Sequence, residues 1–350
     1  MADAILGWDV GGANIKVARI DPRSPGVPAA IEQPFALWRD FNRLSSELAA
    51  LAGRIDEAAD VAPPAAMAIT MTAELADCFA TKREGVAFVV GAFERAFPRS
   101  ILWVFGIDGR FRSAEDARRH PHDVAAANWM ATAMLVARAH ADALLIDVGS
   151  TTTDIVPIAS GQVVAAGRTD SARLRSGELV YTGSLRTPVC AIIRSVPLAR
   201  GRSRVAAEHF AIVADAYRWL GRIGDGDYTC ETPDGRGRTA AFAGARLARM
   251  VCADSETIDG DDITAIAAHI ARTQARQIAH AIRQVLRRRG TIAPRVAIVA
   301  GAGAFVARTA AEAAGLEVGD LGSELGVAAA RAAPAAAVAH LLAEMVSVRP

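Results

Sequence analysis

Two stretches of the chain carry one pattern of apolar and polar positions. Residues 4–16 read "AILGWDVGGANIK" and residues 144–156 read "LLIDVGSTTTDIV". In each, an apolar run ends in an aspartate, a glycine-marked bend follows, and apolar positions resume. The first pattern predicts a strand, a bend at Gly11-Gly12, a resumed strand through Ile15, Lys16 and Val17, and a turn at 21–26. The second predicts a strand over 143–149, a resumed strand over 155–158 and a turn at 159–162. Between them, helical periodicity covers 41–56 and 85–97, while 64–71 and 100–109 read as strands. An alanine-rich helix over 123–140 would connect the two halves. Further on, 261–290 reads as a long amphipathic helix whose arginine-rich end suits the negative C-terminal pole of a helix. Residues 295–315 read as strand, glycine turn and helix. A last helix over 324–346 is expected to be interrupted by Pro334.

The two stretches superpose at a shift of 138 positions, the spacing of Asp9 and Asp147. Val10 then falls on Val148, Gly11 on Gly149 and Ile20 on Ile158. A shared Asp-x-Gly triplet could arise by chance; the same flanking hairpin at the same offset is a stronger sign of duplication. The expected architecture is α/β, with a first domain over 1–125 joined by the C-terminal helix, a connecting helix over 126–140, and a second domain over 141–323.

Composition narrows this picture. The chain has 350 residues, 52% hydrophobic but only 5% aromatic. Its core must therefore be built from small aliphatic side chains, as in helices laid on parallel strands. A net charge of +1 gives no field that would gather nucleic acid. No apolar run approaches the ~18 residues of a membrane span. The start of the chain lacks a basic leader, and four cysteines without CxxC spacing read as reduced core thiols. A cytoplasmic protein is expected. Arginine greatly outnumbers lysine, since Lys16 and Lys82 are the only lysines.

The repeated spelling has a chemical rationale. An aspartate at a strand end can hold a divalent cation, directly or through water. The glycines Gly11 and Gly12, and Gly149 in the repeat, let the backbone approach an oxyanion. The amides that follow, with Asn14 in the first loop and Ser150, Thr151, Thr152 and Thr153 in the second, make a neutral cradle for phosphate oxygens. The turn "VAGAGAF" at 299–305 offers Gly301 and Gly303 at the start of a helix, a further anion-binding feature. A dinucleotide-fold reading of this turn needs a third glycine where Val306 stands, and more sheet than the last ~45 residues can supply. The expectation is that two such loops grip a polyphosphate and its Mg²⁺, with Asp9 and Asp147 as metal ligands and Lys16 as a point charge.

Duplicated Asp-x-Gly hairpins, a connecting helix and a Gly-x-Gly turn resemble the actin, sugar kinase and Hsp70 superfamily. That resemblance implies two ribonuclease-H-like domains with an interdomain cleft. A narrower resemblance rests on "GWDVGGANIK", "TMTAELADCF" (70–79), "AANWMATA" (126–133), "TDSARLRSGELVYTGSLRTPV" (169–189), "YTCETPDGRGRT" (228–239) and "RLARMVCAD" (246–254). Together these look like the branch, related to hydantoinase A and oxoprolinase, that makes the methanofuran precursor. Its bacterial relatives are linked to tetrahydromethanopterin-dependent one-carbon transfer.

The resemblance implies a transferase. A (5-aminomethyl-furan-3-yl)methyl diphosphate would be joined to the phenol of a tyramine or tyrosine derivative, with release of pyrophosphate. The phenol has a pKa near ~10, so a base is useful. Candidate carboxylates are Asp147, Asp154, Asp170 and Glu178. Asp147 is favoured by analogy with kinases of the superfamily, although Asp170 and Glu178 equally suit an ordinary polar loop. Thr72 and Glu74 end a predicted strand and would line an acceptor pocket, or else cap a short helix. Asn128, Trp129, Tyr181 and Arg186 are further candidates, with Trp129 equally suited to packing. The partners expected are the furan diphosphate and the phenolic acceptor, with a second copy of the chain left open. The alternatives are an ATP-dependent phosphotransferase of the sugar-kinase type and a non-enzymatic nucleotide-binding protein.

Overall fold

The computed structural model describes residues 4–21, 27–59, 66–199, 201–288 and 294–347. Most of the turn expected at 21–26, the start of the strand expected at 64–71 and the tip of the helix expected to reach 290 lie outside them. The described chain divides into two compact units. One comprises residues 1–145, 156–172 and 320–350; the other comprises 146–155 and 173–319.

The first unit is built on a six-stranded sheet of β1 (Ile5–Val10), β2 (Asn14–Ile20), β3 (Ala29–Pro34), β4 (Ala66–Met71), β5 (Ile101–Phe105) and β6 (Phe111–Ser113). Their spatial order is β3-β2-β1-β4-β5-β6. β1 is antiparallel to β2 and parallel to β4. Every residue of β1 is buried, as expected of a strand covered on both faces. Strand alternation explains how. Leu6, Trp8 and Val10 join a core with Leu44, Leu48, Val86, Val89 and Phe93 from the helices Leu44–Ala59 and Lys82–Ala96. Trp8 stands edge-on to Phe93 at 5.6 Å. Gly7 points the other way, where a Cβ would come within 2.0 Å of the Ala335 carbonyl oxygen. The alanine-rich helix Ala333–Ser347 therefore lies directly on β1, and small residues on both sides allow the approach.

A second sheet contains β7 (Ala143–Val148), β8 (Thr153–Ala159), β9 (Gln162–Val163), β10 (Leu179–Val180), β13 (Val296–Ala300) and β14 (Glu317–Asp320). The order is β10-β8-β7-β13-β14, with β9 pairing β8. A separate hairpin joins β11 (Ser195–Leu198) and β12 (Gly201–Arg204). The long helix Gly260–Arg287 starts at Asp259, whose carboxylate accepts from the Asp261 and Asp262 amides. This is an ordinary N-cap.

Several expectations need correcting. The helix expected over 123–140 begins only at Asn128, because Ala126 sits at φ 51° and breaks the run. Pro334 does not interrupt the last helix. The breaks fall at Gly326, with φ 80°, and Ala332; Pro334 lies in the first turn of the final helix, where its missing N–H costs nothing. The stretch 169–189 is more ordered than a loop, containing the helix Asp170–Ser176 and β10. The cysteines are free but not core residues: Cys252 is exposed and the other three are half-buried. Among the described residues, no helix is long and apolar enough to cross a membrane.

Candidate functional site

The 138-residue repeat is repeated in hydrogen bonds. In the first hairpin the Gly11 amide donates to the Asn14 carbonyl at 2.9 Å, and in the second the Gly149 amide donates to the Thr152 carbonyl at 2.9 Å. The strand beside each hairpin closes in the same way. The Thr72 amide donates to the Val10 carbonyl at 2.9 Å, and the Gly303 amide to the Val148 carbonyl at 2.8 Å. The end of β4 is thus the counterpart of the glycine turn after β13. No sequence likeness between "MTAEL" and "AGAGAF" reveals this, so the correspondence was missed in the sequence.

In the first unit, Asp9 is 5% exposed and lies directly across the strand pair from Lys16. The Lys16 ammonium is 3.5 Å from the Asp9 carboxylate. Thr70 is the parallel partner of Asp9 on β4. Thr72 Oγ1 lies 3.4 Å from where a Cβ on Gly11 would sit. Thr72 occupies the N-cap position of the short turn Ala73–Leu75, yet its side chain makes no capping bond.

Two residues beyond Thr72 lies a second ion cluster. Glu74 is 1% exposed, and Lys82 Nζ sits 3.3 Å from its Oε1 and 2.9 Å from Asp170 Oδ2. Burial pushes the Glu74 carboxyl up to about 7, against the pull of Lys82. Both lysines of the chain therefore serve acidic residues of the first unit. Asn128 opens its helix, and Trp129 beside it is only 2% exposed, as packing requires.

In the second unit, Asp147 closes β7 against the glycine turn. A Cβ on Gly301 would come within 2.3 Å of Asp147 Oδ1 and 2.4 Å of the Val148 carbonyl oxygen, and Gly301 has φ 84°. Gly303 packs as tightly on Val148 and Ser184. The Ser150–Thr153 loop is embraced by residues 182–187. The Ser184 amide donates to the Gly149 carbonyl at 2.9 Å, and the Arg186 amide to the Ser150 carbonyl at 2.9 Å. Thr153 Oγ1 donates to the Thr182 carbonyl at 2.7 Å. Gln274 anchors this brace through Nε2, which reaches Thr182 Oγ1 and the Gly183 carbonyl, both at 2.7 Å. Its Oε1 accepts from the Tyr217 hydroxyl. Gln274 and Tyr217 had no sequence signal, because Gln274 meets Thr182 across 92 positions and Tyr217 across 57.

Gly301→Ala is therefore expected to lower stability by about 1–3 kcal/mol, and by more if φ must also change. Displacement of the Asp147 carboxylate should lower turnover as well. Thermal unfolding and a turnover assay on the same preparation check both; a melt equal to wild type would show that the turn has room to spare.

Other candidates are held in structural roles. By the repeat, Asp154 takes the place of Lys16, and it accepts from Arg173 at 2.8 Å, with Arg173 1% exposed. Glu178 is buried and accepts from the Ser176 hydroxyl at 2.8 Å. Tyr181, by contrast, is 68% exposed. It edges a shallow pocket of about 570 Å³ with Leu174, Val180, Arg276 and His280. The block at 228–239 owes its character to Arg246, which binds Asp215, Asp234 and the Gly237 carbonyl.

Among the described residues there is no group of three or more side chains arranged to hold a metal by themselves. Each hairpin instead offers one strand-end carboxylate beside loop amides and, in the second, hydroxyls. That donor set suits a magnesium ion that arrives with phosphate oxygens, since Mg²⁺ is usually held by one or two carboxylates plus substrate and water. Asp9 and Asp147 fit such a role.

The paired hairpin-and-sheet units define a protein of the actin, sugar kinase and Hsp70 fold type. The fold of an acetone carboxylase in its nucleotide-free state matches over 91% of this chain and 68% of that one, with a TM-score of 0.53 at 10% identity. The ethanolamine utilization protein EutJ from Carboxydothermus hydrogenoformans matches with a TM-score of 0.50 at 11% identity, over 97% and 90% of the two chains. Residues 66–345 match the hydantoinase/oxoprolinase family, and the chain belongs to that family. It is 38% identical over 260 residues, 74% of each chain, to the (4-{4-[2-(gamma-L-glutamylamino)ethyl]phenoxymethyl}furan-2-yl)methanamine synthase of Methanocaldococcus jannaschii. A protein of the same name from Methanococcus vannielii is 39% identical over 124 residues, 35% of this chain and 55% of the relative.

Proposed function

We propose that the chain is a transferase that forms an aryl ether in the synthesis of a methanofuran-type cofactor. It would join a (5-aminomethyl-furan-3-yl)methyl diphosphate to the phenol of a tyramine or tyrosine derivative and release pyrophosphate. The observation that carries this reading is the similarity to the Methanocaldococcus jannaschii synthase across three quarters of both chains. The product named for that protein is a phenoxymethyl-furan, whose two halves meet at one ether bond.

The local chemistry supports the same reaction. The electron pair of the breaking C–O bond leaves with pyrophosphate, so the site must receive negative charge. In the second unit, the loop at Ser150–Thr152 offers amides and hydroxyls for it, beside the glycine turn at Gly301–Gly303; the Gly303 amide and the Thr153 hydroxyl instead hold the loop in place. Preorganised donors of this kind are each worth about 3 kcal/mol in other enzymes. In the first unit, Gly11, Gly12 and Asn14 with Lys16 offer the equivalent loop. Asp9 in the first unit and Asp147 in the second are each suited to hold Mg²⁺, which would supply charge neutralisation at the leaving oxygens when bound. Thr72, Glu74 and Asp170 would face the acceptor, and Asn128, Glu178 and Tyr181 would support or border the pockets. No ATP hydrolysis enters this scheme.

The test is direct. Pure protein with Mg²⁺, the furan diphosphate and a tyramine, tyrosine or glutamylated acceptor should yield pyrophosphate and a product with the mass of the ether. ATP consumed with phosphorylation of the acceptor, and no ether, would overturn the proposal in favour of a phosphotransferase.

A further inference from the structure

We propose that Lys82, backed by the buried Glu74, relays the acceptor's phenolic proton out of the first unit. This rests on the transferase reading and extends it by naming the proton's route.

Three observations converge. The chain has two lysines, and Lys82 bridges a buried carboxylate and a half-exposed one. Glu74 lies three residues beyond the end of β4, in the short turn Ala73–Leu75, and two residues after Thr72, whose amide bond to Val10 matches that of the glycine turn in the other unit. Its Oε1 faces Lys82, while its Oε2 is buried with no hydrogen-bond partner among the described residues. A buried carboxylate oxygen without a partner costs stability, so its retention asks for a use. The backbone holds it rigidly. A Cβ on Gly85 would come within 2.3 Å of the Glu74 carbonyl oxygen, so the helix Lys82–Ala96 rests directly on Glu74 and fixes Lys82 above it. The charged groups that face Glu74 are Lys82 from that helix and Asp170 from the helix Asp170–Ser176.

The ammonium of Lys82 has three N–H groups. Glu74 and Asp170 engage two, and the side chain is 24% exposed. The third N–H is left for a phenolic oxygen. As that oxygen bonds to the furan methylene carbon, the C–O bond to diphosphate breaks and its electron pair departs with pyrophosphate. Lys82 Nζ passes one proton to Glu74 Oε1 and becomes a neutral amine; rotation about the Cε–Nζ bond turns the freed lone pair to the phenol, and uptake of the phenolic proton restores the ammonium. Glu74 ends as a neutral acid and returns its proton through Lys82 after product leaves. Asp170 holds Lys82 in place and favours its charged form. Lys82 touches substrate; Glu74 acts through it. Burial sets the Glu74 carboxyl near neutrality, where a proton can be both accepted and released.

The pH profile of kcat should then rise through a limb near neutrality as Glu74 ionises. Glu74→Gln keeps the shape and removes the acceptor. It is expected to lower kcat by roughly 10²-fold, to leave the donor KM unchanged and to abolish the limb. A series of acceptors with more acidic phenols separates a proton role from a structural one. The Glu74→Gln deficit should shrink as the phenol grows more acidic, whereas a merely damaged pocket loses the same factor on every acceptor. Asp170→Asn, at a half-exposed site, gives a second variant and should shift the limb without removing it. A limb that persists in Glu74→Gln, or a deficit independent of phenol acidity, overturns the relay while the transferase stands. Failure of the wild type to make ether from any acceptor overturns the transferase reading, and the relay with it.

Discussion

Asparagine in place of Asp147 is expected to lower ether formation by about 10²-fold, the scale on which single electrostatic groups at a leaving-group site act, with the fold retained. The reason is local. Asp147 is the penultimate residue of β7, and its Oδ1 lies where the backbone of Gly301 passes without a side chain. Asparagine has the same shape and fits the same gap, so the turn need not move. What is lost is the negative charge that would hold a magnesium-bound diphosphate. Pyrophosphate release at saturating donor, measured beside a thermal melt, separates the two effects. The rate should fall and the melt should not. Asp9→Asn should behave in the same way, with the added consequence that Lys16 loses the carboxylate 3.5 Å away. Wild-type turnover in either variant would remove the metal role from that residue.

Arg246→Ala carries the largest expected change in stability, about 3–5 kcal/mol. Arg246 and Asp215 are both wholly buried. Arg246 Nε and Nη2 donate to Asp215 Oδ1 at 2.9 and 2.7 Å, and the Tyr228 hydroxyl donates to the same oxygen at 2.8 Å. Arg246 Nη1 also reaches Asp234 Oδ1 at 3.0 Å and the Gly237 carbonyl at 3.1 Å. Alanine would strand the Asp215 charge in an apolar interior and release the segment 220–239 at once. Urea unfolding should show a lower midpoint, and proteolysis should begin in that segment. Removing both charges, as Arg246→Met with Asp215→Asn, should cost less than Arg246→Ala, because no uncompensated carboxylate remains. Equal or greater loss in the double variant would mean that packing, and not charge, governs the site.

Much of the fold was legible because it is local. Leu6, Trp8 and Val10 alternate with Gly7 and Asp9, so the sequence itself spells a strand with a carboxylate near its end. The duplicated hairpin survived as spelling, and its hydrogen bonds match at the same 138-residue spacing. Termini of helices were less legible. Ala126 adopts φ 51°, although alanine is the best helix former, so local propensity did not mark where this helix begins. The site was legible where charge stands at a strand end, as with Asp9 and Asp147. It was illegible where distant residues meet: Lys82 with Asp170 across 88 positions, and Gln274 with Thr182 across 92.

The sequence alone determined the duplication, the α/β class and the small-residue core, because these follow from side-chain periodicity and volume along a contiguous stretch. Only the tertiary structure decided which carboxylates are caught in structural pairs, such as Asp154 with Arg173, and which are buried beside a lysine, as Asp9 and Glu74 are. Burial and the identity of an ionic neighbour set the behaviour of a carboxylate, and both depend on chain segments that meet only after folding.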